Sequence, residues 1–179
     1  LYPEQGLSKV SVKDAIAVFE QSLVTVNSRF DQYLRGNKAI LTDTEKQGYA
    51  LFKTHCAACH SGPALGGLSF EKMGVKRDYF KQRGGELTEA DNGRFNVTKD
   101  EKDRHVFKVP VLRNIEMTFP YFHDGSTLNL AETVEIMGKD QLNKDFTHDE
   151  TAKLVAFLLT LTGEYKGKPV SHLTAEDIK

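Results

Sequence analysis

The sequence predicts an all-α fold threaded by long irregular loops, and three observations predict it. Apolar residues recur at three- and four-residue steps in segments opened by capping residues. No stretch alternates apolar and polar residues as a series of half-buried strands would. The segment from about Ser61 to Val106 is rich in Gly and charge and has no sustained period.

From Ser11, the positions Val12, Ala15, Ile16, Phe19, Leu23 and Val26 define one apolar face, and Ser11 with Asp14 forms an opening cap. The following NSRFDQYLRGNKAI is punctuated by polar residues and Gly. Thr42-Asp43-Thr44-Glu45 then opens a second helix through Gly48, Tyr49, Leu51 and Phe52. SGPALGG and KQRGGELTEADNG read as long loops, and loops of that length usually serve a site. VPVLRNIEMTFPYFHDGS (109–126) reads as an extended connection with short helical turns. LNLAETVEIMG gives a short helix from about Asn129 to Met137. Thr147-His148-Asp149-Glu150 caps a closing helix through Leu154, Phe157, Leu158 and Leu161, with Gly163 as its C-terminal cap. There is no internal repeat and no low-complexity block.

With 179 residues, 39% of them hydrophobic, one main domain is expected. Lys and Arg number 24 against 25 for Asp and Glu, so no broad basic surface invites nucleic acid or anionic lipid. The longest apolar run, LVAFLLTLTG, stops at Gly163, well short of the roughly 20 residues a membrane span needs. The sequence begins at Leu1 without an initiator Met or a signal peptide, so it reads as a mature product or a fragment.

Both cysteines lie in FKTHCAACHSGPALGG, two residues apart with a histidine directly after the second. Three chemistries use that spacing: half a zinc site, a redox dithiol, and covalent haem attachment. Zinc lacks its remaining ligands, since there is no second Cys pair and no two other histidines lie three to five residues apart. A thioredoxin-like dithiol expects a preceding strand and a parallel sheet, whereas a helix precedes this motif. A disulfide would close too small a loop to constrain much. Haem attachment accounts for all three residues: Cys56 and Cys59 form thioethers and His60 is the proximal iron ligand. Gly48 and Phe52 lie on the face expected to meet Phe157 and Leu161.

The second axial position decides between electron transfer and small-molecule chemistry. Met73, Met117 and Met137 are candidates, alongside another histidine or an open site. Met73 leaves little chain to cross from one haem face to the other. Met117, between Ile115 and Phe119, reads as a core filler. Met137 follows a long wrap and precedes Gly138, which suits presentation to the far face.

GYALFKTHCAACHSGPALGG, GRFNVTKDEKDRHVFKVPVLRNIEMTFPYFHDGSTLNLAETVEIMG and LVAFLLTLTGE together resemble the carboxyl-terminal half of the bacterial di-haem cytochrome c peroxidases. AIAVFEQSLVTVNSRFDQYLRG resembles the stretch preceding that half. Cys-x-x-Cys-His alone marks only a cytochrome c, whereas VPVLRN followed by PYFHDGS narrows the resemblance to this family and its MauG-like relatives. The resemblance implies a class I cytochrome c-like fold around one covalent haem c, ligated by His60 and Met137. MauG-like relatives place a tyrosine at the latter position. It further implies calcium bound through the backbone carbonyls of Thr118 and Pro120. Arg113 is expected at a haem propionate or an interface, with an ordinary surface pair as the alternative, and His123 at the haem edge or across an interface, with a hydrogen-bonded structural histidine as the alternative.

On this resemblance, residues 1–25 form a helical arm that would pack on an amino-terminal haem domain, 26–164 form the cytochrome domain, and 165–179 form a tail with an apolar face toward that same domain. Family members carry a second Cys-x-x-Cys-His and a tryptophan between the haems, and this chain has neither. The implied role is the electron-entry half of a periplasmic, homodimeric peroxidase. It would take electrons from a small soluble donor, a cytochrome c or cupredoxin, for hydrogen peroxide reduction at the other haem. A free-standing electron carrier, or a domain that reacts with peroxide itself after losing its far ligand, are the competing expectations.

Overall fold

The computed structural model describes Pro3, residues 6–174, Glu176 and Asp177. Its helices are α1 (Lys9–Ser22), α2 (Arg29–Leu34), α3 (Asp43–His55), α4 (Tyr79–Arg83), α5 (Phe95–Thr98), α6 (Leu130–Leu142) and α7 (His148–Leu159). Two small antiparallel pairs complete it: β1 (Phe70–Lys72) with β2 (Val106–Lys108), and β3 (Glu164–Tyr165) with β4 (Lys168–Pro169). The all-α class therefore holds, with short strands inside the loops.

Capping residues set the helix starts. Thr42 and Glu45 cap α3 reciprocally, and Thr147 and Glu150 do the same for α7, as their spacing predicts. The first helix starts earlier than expected. Ser8 is the N-cap and Ser11 occupies the third helical position, bonding back to the Ser8 N–H, so the true pair is Ser8 with Ser11. Val26 lies beyond this helix and pairs with Glu164 through both backbone groups, which ties the base of α1 to the end of the domain. The punctuated stretch after it holds a capped helix, α2, because Ser28 and Asp31 close a reciprocal box.

α3 and α7 cross at Gly48. A Cβ there would lie 1.9 Å from the Lys153 carbonyl oxygen and 2.9 Å from the Phe157 Cβ, so only glycine permits the approach. Phe52 and Phe157 meet with ring centroids 5.1 Å apart, and Phe157 is 0% exposed. Phe30, Leu41, Ile115, Tyr121, Leu154, Leu158 and Leu161 complete this core. A second, smaller cluster gathers Met73, Tyr79 and Phe80.

Gly163 is not a helix cap, because α7 ends at Leu159 with Thr160 as its cap. Gly163 instead passes the Val26 carbonyl, where a Cβ would lie 2.9 Å away. α6 also departs from its expected end: it continues through Gly138 to Leu142 and stops at Asn143 in the left-handed conformation. Met137 therefore sits inside a helix. Tyr165 of the tail is buried, whereas α1 leaves Val12, Ile16 and Phe19 largely exposed. No helix among the described residues is long and apolar enough to cross a membrane.

Candidate haem-binding site

Cys56 caps α3, its N–H bonding to the Phe52 carbonyl at 2.8 Å. The N–H groups of Cys59 and His60 then fold back onto the Cys56 carbonyl at 3.2 and 2.9 Å, forming a turn that brings both thiols and the imidazole off one helix end. The cysteines form no disulfide. Burial, with a smaller contribution from Cys59, pushes the Cys56 thiol up to about 11, and burial with Glu71 also raises Cys59. A redox dithiol needs a depressed thiol pKa, so this environment is wrong for one. Two neutral, unpaired thiols suit thioether attachment.

His60 lines a cavity of about 340 Å³ with Phe52, Ala57, Leu65, Arg113 and Leu161. Its Nδ1 is buried without a hydrogen-bond partner of ordinary geometry. Burial lowers its pKa, although the nearby Leu65 and Pro110 carbonyls pull the other way. A neutral imidazole in an apolar cavity is the form that ligates a metal. These residues thus fit a haem bound through Cys56, Cys59 and His60.

The loop after the motif is held in place by residues 109–113. Gly67 N bonds to Val109 O at 2.8 Å and Leu112 N to Ala64 O at 3.1 Å. Gly66 has φ +142°, and a Cβ there would lie 2.0 Å from the Pro110 carbonyl oxygen. Arg113, also on the cavity wall, donates to both Asp31 oxygens at 2.9 and 2.8 Å. Its planar fork is thus engaged by α2, fastening that helix to the loop.

The three methionines occupy different environments. Met73 is 8% exposed in the second cluster, and Met117 is 39% exposed on a short 3-10 turn. Met117 is therefore not a core filler, since it is exposed while Ile115 at the start of the same turn is buried, and Met73 fills a core position instead. Met137 is partly buried on α6.

His123 belongs to a polar network that the sequence did not reveal. Its Nε2 lies 2.7 Å from Asp91 Oδ1, and its ring stacks on Phe107 at 4.3 Å. Asp91 is 0% exposed and also accepts from Arg83 at 2.7 and 3.1 Å and from the Thr88 N–H at 2.7 Å. Arg83 reaches Asp124 as well, at 2.7 Å, and Tyr79 donates to Asp124. The Arg83 guanidinium, foremost, holds Asp91 far below the ordinary carboxylate range. Asp91, His123 and Asp124 lie close enough to share a cation, but Arg83 already supplies the positive charge there. The partners come from segments with no local pattern linking them, so spacing carried no signal. Thr118 and Pro120 are exposed.

A family model described as di-haem cytochrome c peroxidase matches residues 1–39, and one described as cytochrome c matches residues 45–162. The chain is 52% identical to cytochrome c551 peroxidase of Nitrosomonas europaea over 86% of this chain and 44% of that protein. It is 47% identical to cytochrome c peroxidase Ccp of Escherichia coli, over 92% of this chain and 35% of that protein. The chain thus spans less than half the length of these curated relatives. A crystal structure of a MauG-like protein associated with microbial copper homeostasis superposes with a TM-score of 0.74 at 30% identity, over 91% of this chain and 56% of that one.

Proposed function

Because the chain belongs to the cytochrome c family and its relatives are bacterial cytochrome c peroxidases and MauG-like proteins, we propose that it is the electron-entry half of a di-haem cytochrome c peroxidase. Cys56 and Cys59 anchor a single haem c, and His60 supplies the proximal nitrogen. Met137 on α6 supplies the thioether on the other side. The haem, when bound, supplies reversible one-electron transfer. A thioether ligand raises the potential, which suits a site that accepts electrons and passes them on.

The protein's own contribution is placement. The α3–α7 crossing fixes the turn bearing the thiols, and the Arg113–Asp31 pair and the 61–67 loop close the wall around His60. In the whole enzyme a small soluble donor, a cytochrome c or cupredoxin, delivers electrons. An amino-terminal haem domain packed against α1 and the tail, of which residues 1, 2, 4, 5, 175, 178 and 179 lie outside the described residues, then reduces hydrogen peroxide to water. Haem attachment requires export, which puts the enzyme in the periplasm as a homodimer. The Thr118 and Pro120 carbonyls contribute to a calcium site between the two haem domains.

The observation that carries this reading is the partly buried His60, its Nδ1 enclosed and its pKa lowered, in one turn with two unpaired thiols, in a chain whose relatives are peroxidases. Expression in a host competent in cytochrome maturation tests it. One added haem mass and two blocked thiols are expected, and a colourless chain with both thiols free would refute it. Met137→Ala should convert a low-spin spectrum to high-spin, and an unaltered spectrum would reassign the ligand.

A further inference from the structure

Four residues after Met137, and so on the same face of α6, Gln141 uses its whole side-chain amide to hold a neighbouring segment. Its Oε1 accepts from the N–H groups of Gly74 and Val75 at 3.1 and 3.0 Å, and its Nε2 donates to the Lys72 carbonyl at 3.0 Å. Those backbone groups flank Met73, the anchor of the second core cluster, against which Ile136 packs from α6 itself. The next turn of the chain adds to the grip: the N–H groups of Lys76 and Arg77 bond to the Asp140 carbonyl, and Gln82 Nε2 bonds to Asp140 Oδ1 at 2.8 Å.

The segment 72–77 thus clamps α6 over the turn that follows Met137, and only Gln141 does so with a side chain that bonds on both its acceptor and its donor sides. A partly buried glutamine with three backbone partners from a segment 66 to 69 residues away is a tertiary fastener, not a solubilising surface residue. Removing it leaves two N–H groups and one carbonyl of the 72–75 segment without these partners and frees α6 to slide or rotate. A thioether is a weak, neutral ligand whose bond to iron depends on being held at the right distance.

We propose that Gln141 is a positioning residue that locks α6 so that the Met137 sulfur is retained on the haem iron against displacement by stronger ligands. This rests on Met137 being the distal ligand. The readout is the far-red sulfur-to-iron charge-transfer band of the oxidised, haem-loaded chain, followed as pH is raised until the sulfur is displaced. Gln141→Leu, which fills similar space without hydrogen-bonding groups or a second thioether, should lose the band at least about one pH unit lower than the native chain, a tenfold change in the displacement equilibrium. Gln141→Glu keeps an acceptor for Gly74 and Val75 but not the donor for Lys72, and should fall between the two.

Loss of thermal stability in Gln141→Leu, with the band vanishing at the native pH, would overturn the proposal, because a merely structural residue gives that result. Met137→Ala run alongside separates the two readings. If its band persists, the ligand assignment fails and the Gln141 inference falls with it. If the band is lost but both Gln141 variants titrate like the native chain, only the Gln141 inference fails.

Discussion

The backbone of Gly48 lies against the Lys153 carbonyl so closely that a Cβ at Gly48 would sit 1.9 Å from the oxygen. Backbone cannot swing aside as a flexible side chain can, so α3 and α7 must separate to admit a methyl group. Gly48→Ala should therefore destabilise the chain by roughly 3 kcal/mol or more, despite the better helix propensity of alanine. Phe157→Ala, which empties the same crossing, should cost roughly 3–5 kcal/mol. Denaturant titration of both variants checks this, and a neutral Gly48→Ala would mean the helices are farther apart.

The two thiols differ in exposure and in acidity. Cys59 is exposed, whereas Cys56 is partly buried with its thiol pushed up to about 11. Iodoacetamide at mildly alkaline pH should therefore label Cys59 of the haem-free chain well before Cys56. Peptide mass spectrometry at timed intervals reads the order, and equal rates would show that the α3 terminus is frayed.

Arg113 holds Asp31 below its ordinary value of 3.8. A depressed folded-state value means the pair stabilises the protein above the unfolded value. That contribution disappears as pH falls through the lowered one. Arg113→Met should cost roughly 1–3 kcal/mol at neutral pH, with the difference from the native chain shrinking below about pH 4. Melting curves from pH 7 to pH 2 test this, and a gap that stays constant in acid would exclude the pair as its source.

Asp91 is wholly buried between Arg83, His123 and Thr88. Asp91→Ala should cost roughly 3–5 kcal/mol, because it removes the buried carboxylate that pairs with Arg83, leaving the guanidinium only Asp124, and takes the acceptor from the Thr88 N–H. The double variant with Arg83→Met should cost less than the sum of the two single changes. A thermodynamic cycle on the four proteins measures that coupling, and strict additivity would dissolve the network.

Where the determinants were local in sequence, they were readable. The Thr42–Glu45 and Thr147–Glu150 caps and the Gly48–Phe52 face, which meets Phe157, all follow from spacing of a few residues. Met117 was misread as a core filler because burial depends on which loops fold over a residue, and periodicity says nothing of that inside an irregular stretch. The Asp91 network and the Gln141 clamp join residues tens of positions apart, where no pattern in the chain links them. The start of α1 was misplaced because a serine at its third helical position copied the look of an N-cap.

A chain synthesised from its amino end presents Cys56 and Cys59 before α7 has been made. Until that last helix docks against Gly48, Phe52 lacks Phe157 as its packing partner, and the turn bearing both sulfurs is steadied only by its own helix. The rigidity of the motif is therefore lent to it by a partner from the far end of the polypeptide, and trimming the chain behind the motif would loosen it without touching a sulfur.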